Sequence, residues 1–222
     1  MRILNIYERL FSYFLGLFTL TTAIGLSIKA NLGISPVSSV PYTLTVVWGV
    51  EIGIATVIFH VVLVIIQYIL LRNQFGMKNL LQLPVGIIFG YFTSLSVFLM
   101  NFLPPAENIL ISLIYLILSI IVISIGEILY LPANLVSLAS SGIVQAIAVV
   151  LDKPFSHIKI VFDIIMVGGS AIVCLMTIGS LGSVGLGTVI SAFLVGPSIK
   201  LTVKLIYHVT GIQINLKPGF NQ

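Results

Sequence analysis

Charge is what this chain of 222 residues lacks most. Its 10 Lys and Arg and 6 Asp and Glu make up 7% of it, where a soluble domain carries roughly 25%. No water-facing surface can be built from so few charges, and no soluble domain fits, because the longest polar stretches are only a few residues. Cysteine is almost absent as well. The single one, Cys174, lies inside an apolar run, which excludes an intrachain disulfide and a thiolate metal cluster and reads as a small core residue. The three histidines, His60, His157 and His208, and the six acids are scattered. An intramembrane enzyme needs clustered carboxylates, metal ligands or a nucleophile with its base, so no enzyme, metal or other cofactor is expected. The net charge of +4 marks loops on one side of a membrane, not a nucleic-acid footprint.

What the chain has is apolar sequence, 59% of it. In lipid every backbone amide must be paired internally, and long unalternating Ile, Leu, Val and Phe runs suit helices rather than barrel strands. The expected fold class is an all-α polytopic membrane protein, with the lipid bilayer as its first partner. Eight apolar segments run from Leu10 to Ile28, Pro36 to Gly49, Ile54 to Leu71, Leu80 to Met100, Ile109 to Leu131, Leu138 to Leu151, His157 to Thr177 and Val184 to Tyr207. Six have about 18–24 residues, enough to cross roughly 30 Å of hydrocarbon at about 1.5 Å per residue, whereas the second and sixth reach only about 21 Å. The first is too long for a signal-peptide core and has no small-residue cleavage site, so it reads as a retained span.

Charge placement separates two topologies. If the two short segments dip in and return, the amino terminus, Arg72, Lys78, Lys153, Lys159, Lys200, Lys204 and Lys217 share one side, and of the ten basic residues Lys29 alone lies opposite. If all eight cross, the division is seven against three. The positive-inside rule selects six spans plus two re-entrant half-helices, with both termini cytoplasmic.

Ala30-Asn31-Leu32 returns as Ala133-Asn134-Leu135, an internal repeat of about 103 residues that also sets Ser38 over Ser141, Phe59 over Phe162 and His60 over Asp163. One transmembrane domain made of two repeats, 1–103 and 104–222, follows. The link between them lies near Asn101 to Asn108, where Pro104-Pro105 stops a helix. Three spans per repeat is odd, so the second copy enters the membrane upside down, an inverted repeat.

Each short segment opens on small polar residues: Asn31, Ser35, Ser38 and Ser39 in the first, Asn134, Ser137, Ser140 and Ser141 in the second. Ser35-Pro36 has the form of an N-cap followed by a first-turn proline, although Pro41 argues for regular helix only after Ser39. Two helix amino termini aimed at the midplane would offer free N–H groups and hydroxyls to an anion or carboxylate. Small residues that merely permit close packing give the competing account. His60 and Asp163 sit in the middle of apolar runs, where charge is costly. Inverted symmetry brings them together as a proton-coupling pair, while Lys159, one turn before Asp163, is the rival partner. Gln67, Gln82 and Gln145 read as interhelical hydrogen-bonding groups. Gly86 and Gly90 form G-x-x-x-G, which serves contact within the monomer or a homodimer equally well. The Gly179 to Gly187 stretch lacks a phosphate-loop lysine and reads as an external loop leading into the last helix.

Asn31-Leu32-Gly33-Ile34-Ser35-Pro36, Gln82-Leu83-Pro84 leading to Phe89-Gly90-Tyr91-Phe92, and Gly185-Leu186-Gly187-Thr188-Val189-Ile190 leading to Gly196-Pro197 together give a chain that resembles the YczE/YyaS/YitT group of bacterial multi-pass membrane proteins. The resemblance implies a bacterial plasma membrane and brings no substrate or site residue with it. The function expected from the residues is a secondary transporter or facilitator for a small anionic or zwitterionic solute, with a midplane site between inverted halves. A solute-binding subunit of a multicomponent transporter and a non-transporting structural or regulatory protein are the alternatives.

Overall fold

The computed structural model describes residues 5–210, so Arg2 and Lys217 lie outside the described residues. Within them the chain is a polytopic all-α membrane protein. Its helices are α1 (Ile6–Ala30), α2 (Pro36–Trp48), α3 (Ile52–Leu71), the one-turn α4 (Met77–Leu80), α5 (Gln82–Met100), α6 (Ile109–Tyr130), α7 (Ala139–Leu151), α8 (Phe155–Ile178) and α9 (Leu186–Thr210). Six of these regions are long and apolar enough to span a bilayer: α1, α3, α5, α6, α8 and α9. The two short helices, α2 and α7, have 13 residues each, about 20 Å at the α-helical rise.

Local chemistry sets the boundaries. Asn5 and Glu8 form a capping box at the start of α1. The side chains of Glu51 and Asn108 accept the N–H of Ile54 and Ile111 at the starts of α3 and α6. Pro36 occupies the first position of α2, where its missing N–H costs nothing. The helix begins there and carries Pro41 in its interior, so the expectation of a start after Ser39 is corrected. A proline lacks only its own N–H, so Pro41 costs the helix the bond to Val37 O, while the Ser39 hydroxyl donates to Pro36 O at 2.6 Å in the first turn.

The sequence repeat is visible in the helix boundaries. Ile6 and Ile109, Pro36 and Ala139, and Ile52 and Phe155 open corresponding helices at the offset of the Ala-Asn-Leu tripeptides. Those tripeptides end α1 and close the 3₁₀ turn after α6, with Asn31 at φ 53° and Asn134 at φ 47°. The left-handed region tolerates Asn better than most side chains.

The packing pattern also recurs. α1 and α6 form the central pair and run antiparallel, since Gly16 lies against Tyr130 and Gly126 against Leu20. α5 flanks α1 as α9 flanks α6, and each short helix packs across the halves, α2 on α8 and α7 on α3. The correspondence fails where the flanking spans meet. α3 and α5 pack closely through Gly53, Gly86 and Gly90, where a Cβ on Gly90 would lie 2.7 Å from Gly53 O, but α8 and α9 make no comparable contact. The G-x-x-x-G motif is therefore used within the chain. Between helices in lipid such close van der Waals contact, not water exclusion, supplies the attraction.

The α2 helix runs parallel to α8: Ser39 contacts Met166 O and Ser170 Oγ, and one turn on Thr43 faces Cys174. Met166 and Ser170 lie near the middle of α8. The short helix thus starts beside the centre of a full-length span and proceeds toward that span's carboxyl end.

Candidate functional site

A crevice of about 220 Å³ opens where α7 meets α3, α4 and α5. Its wall consists of Gln67, Leu71, Gln74, Asn79, Gln82, Ser137, Gly142, Gln145, Ala146 and Val149, a set with five carboxamides and no charged side chain. At its base Gln67 and Gln82 are 1% and 3% exposed. They form a reciprocal amide pair: Gln67 Nε2 donates to Gln82 Oε1 at 3.0 Å and Gln82 Nε2 donates to Gln67 Oε1 at 3.1 Å. Gln67 Nε2 also donates to Ala139 O in the first turn of α7, 3.2 Å away. The pair ties α3, α5 and α7 together, which explains why two costly side chains are kept in apolar spans.

Gly142 makes this arrangement possible. A Cβ there would sit 2.6 Å from both Gln67 Oε1 and Gln82 Oε1. Higher on the wall, the amides of Gln74, Asn79 and Gln145 and the hydroxyl of Ser137 make no hydrogen bond among the described residues.

The repeat offset maps this crevice onto a second place, between α2, α8 and the loop before α9, and there the same positions are closed. Gln67 and Gly142 correspond to Ser170 and Ser39, whose hydroxyls bond at 3.0 Å. Leu71 and Ala146 correspond to Cys174 and Thr43, which touch at 3.8 Å, and Thr43 Oγ1 lies 2.6 Å from Ser183 Oγ. The loop is stitched to the segment before α2 by Gly187 N to Leu32 O at 2.6 Å and Ile34 N to Ser183 O at 3.3 Å. Gly33, at φ +91°, would bring any Cβ into collision with Gly185 N. The Gly179 to Gly187 stretch is therefore the strap that seals this second place.

The residues singled out from sequence divide between these regions. Ser39 is buried in the sealed region, and Ser35 donates to Ser38 at the start of α2. Ser137 lines the open crevice, and Ser140 and Ser141 lie in the first turn of α7. Val37 and Val40 of α2 and Ala139 and Ile143 of α7 meet one apolar cluster with Phe59 and Phe162, so the two serine groups flank hydrocarbon and do not face a shared cavity. Asn31 and Asn134 are exposed helix ends. Asn134 O and Ala133 O accept from Arg9 Nη2 and Nε at 3.0 and 2.9 Å. His60 is 3% exposed, stacks on Phe89 with ring centroids 5.4 Å apart, and has no hydrogen-bond partner at Nδ1 among the described residues. Asp163 is paired with Lys159 on its own helix.

A second cavity of about 320 Å³ lies between the carboxyl ends of α1 and α5, lined by Lys29, Asn31 and Asn101 among others. The three glutamines of the crevice, Gln67, Gln82 and Gln145, were legible as polar positions in apolar runs. Nothing in their spacing showed that α7 would bring them to one wall.

Residues 7–204 match the family of unknown function DUF6198, and the chain belongs to that family. No curated protein and no solved structure matches it.

Proposed function

Taking a helical membrane protein of the DUF6198 family as the starting point, we propose that the chain is a secondary transporter or facilitator for a small polar solute, working by alternating access between two inverted halves. One observation carries the reading: two places related by the repeat are in opposite states, an open crevice at α3, α5 and α7 and a sealed one at α2, α8 and the strap. An inverted-repeat carrier holds its halves in unlike conformations and exchanges them to expose the site to the other side. The antiparallel α1 and α6 pair, which are corresponding helices, supports inversion. So does a break in the packing pattern, α3 against α5 closed while α8 and α9 stand apart.

The short helices are the re-entrant elements of this scheme, each starting at mid-depth beside a span from the opposite half. Arg72 and Lys78 flank the open crevice in sequence, so the positive-inside rule puts it on the cytoplasmic side of a bacterial plasma membrane, with both termini cytoplasmic. The motifs shared with the YczE/YyaS/YitT group support the same location. The solute of this scheme is polar rather than anionic, because the crevice wall carries no charge.

Thiol labelling in sealed vesicles tests the scheme without knowledge of the solute. Cys174 lies in the sealed region and Leu71 at the corresponding position of the open one. Leu71→Cys, in a Cys174→Ala background, is expected to react quickly with an impermeant maleimide from the cytoplasmic face. Native Cys174 should react slowly and from the opposite face, faster once Ser183→Ala loosens the strap. A Cys174 that stays inert in both proteins, or that reacts from the same face as Leu71→Cys, would refute alternating access.

A further inference from the structure

From the geometry of the Gln67 and Gln82 amide pair at the base of the crevice, we infer that the solute is a small uncharged molecule presenting an adjacent N–H and C=O in one plane, of the lactam or cyclic ureide class. The inference rests on the transporter reading of the same crevice and names what it takes. Each amide of the pair offers one donor and one acceptor side by side, and the two bonds between them are nearly equal, 3.0 and 3.1 Å. The edge each amide presents to its partner, one N–H beside one C=O, is the edge that a lactam or cyclic ureide carries. The hydrogen-bond inventory also leaves capacity for a ligand lying against the intact pair. Both N–H groups of Gln67 are taken, by Gln82 and Ala139, but one N–H of Gln82 and one lone pair on each carbonyl oxygen are free.

The rest of the wall agrees. The amides of Gln145, Gln74 and Asn79 add mixed donors and acceptors with no bond inside the protein, while Leu71 and Val149 supply apolar surface for a flat ring. The crevice, about 220 Å³, has room for a small heterocycle. A carboxylate fits poorly. It has no N–H for the carbonyl oxygens, and no cation lines the crevice to balance its charge. A polyol can hydrogen-bond but has no rigid paired edge to exchange with an amide.

The experiment is a melting and calorimetric titration of the detergent-purified full chain with uracil and hydantoin, with benzoate and glycerol as the charged and polyol comparisons. Uracil or hydantoin should raise the melting temperature in a saturable way, and benzoate and glycerol should leave it unchanged. Gln145→Leu should weaken uracil or hydantoin binding about tenfold, the loss of roughly one amide contact. Because the Gln145 amide bonds to nothing in the protein, this variant is expected to fold and to melt like the parent without ligand. Stabilisation by benzoate or glycerol but not by the cyclic amides would overturn the inference, as would no response to any probe. Equal uracil affinity in Gln145→Leu and the parent would overturn it too. None of these results alters the labelling pattern of Cys174 and Leu71→Cys, which judges the transport reading separately.

Discussion

Gly142→Ala tests whether the glutamine pair holds the short helix α7 in place. The added methyl would lie 2.6 Å from Gln67 Oε1, 2.6 Å from Gln82 Oε1 and 2.7 Å from Gln82 Nε2, so either the helix retreats or the amides part. Overpacking of this kind costs about 1–3 kcal/mol. Displacing buried amides that lose their partners costs about 1–3 kcal/mol more. Against this, replacing glycine by alanine inside a helix returns about 1 kcal/mol. The net is a loss of about 1–5 kcal/mol, centred near 3, which corresponds to roughly 6–12 °C in melting temperature for a chain of this size. Gly168→Ala and Gly169→Ala are the controls. A Cβ at either position meets nothing within 4 Å, so only the propensity gain remains and these variants should melt at or slightly above the parent. The assay is thermal unfolding in one detergent, followed by loss of the monodisperse chromatographic peak. If Gly142→Ala melts with the two controls, the close approach at the pair is not a determinant of the fold and the account of the crevice floor fails.

Arg9→Leu should lower stability by about 1–3 kcal/mol, because it removes two charge-assisted bonds that close the carboxyl end of α6 at Ala133 O and Asn134 O. Arg9→Lys should recover only part of this, since one ammonium lacks the guanidinium fork, and full recovery in a melting comparison would count against the two-bond geometry. At Glu51, outside the spans, partial burial pushes the carboxyl up, but the backbone N–H groups of Gly53 and Ile54 and the Ser94 hydroxyl outweigh it and hold the pKa below its ordinary 4.5. A depressed carboxylate pKa stabilises the fold above the unfolded-state value and loses that contribution as pH falls through the folded-state value. The parent should therefore lose melting temperature on acidification more than Glu51→Gln does, and parallel acid profiles would show that the cap does not titrate with folding.

Much of the fold was legible because it follows from local rules. The apolar segments predicted from composition end within a few residues of the observed helices, and the two short ones are the two short helices of the structure. The repeated Ala-Asn-Leu tripeptide between apolar runs reads as a source of amide donors for a ligand; in the fold Asn31 and Asn134 sit where the chain turns left-handed after a helix, and Asn31 also lines the second cavity. The placement of the serines was not legible for a different reason. Sequence offset identifies corresponding positions, but it does not say which helix faces them. Cross-packing of α2 on α8 and α7 on α3 sends the two serine groups to separate walls with Phe59 and Phe162 in the cluster between.

The crevice depends on where the halves differ. At one pair of corresponding positions the first short helix and its partner span have Ser39 against Ser170, while the second short helix and its partner have Gly142 against Gln67. Bulk has moved from the short helix to the span, and with it a polar head long enough to reach a third helix at Gln82. Two serines meet side by side and zip their helices together. A glycine facing a glutamine leaves the amide in the contact, and that amide is directed to Gln82 and to the first turn of α7. The same backbone is therefore sealed in one half and open onto carboxamides in the other. An exchange toward the first half's chemistry, Gln67→Ser with Gly142→Ser, should close the crevice and slow maleimide labelling at Leu71→Cys in the Cys174→Ala background, leaving the helical content unchanged by circular dichroism. Undiminished labelling in a folded protein would show that the openness comes from the α3 to α5 connection and not from this pair of positions.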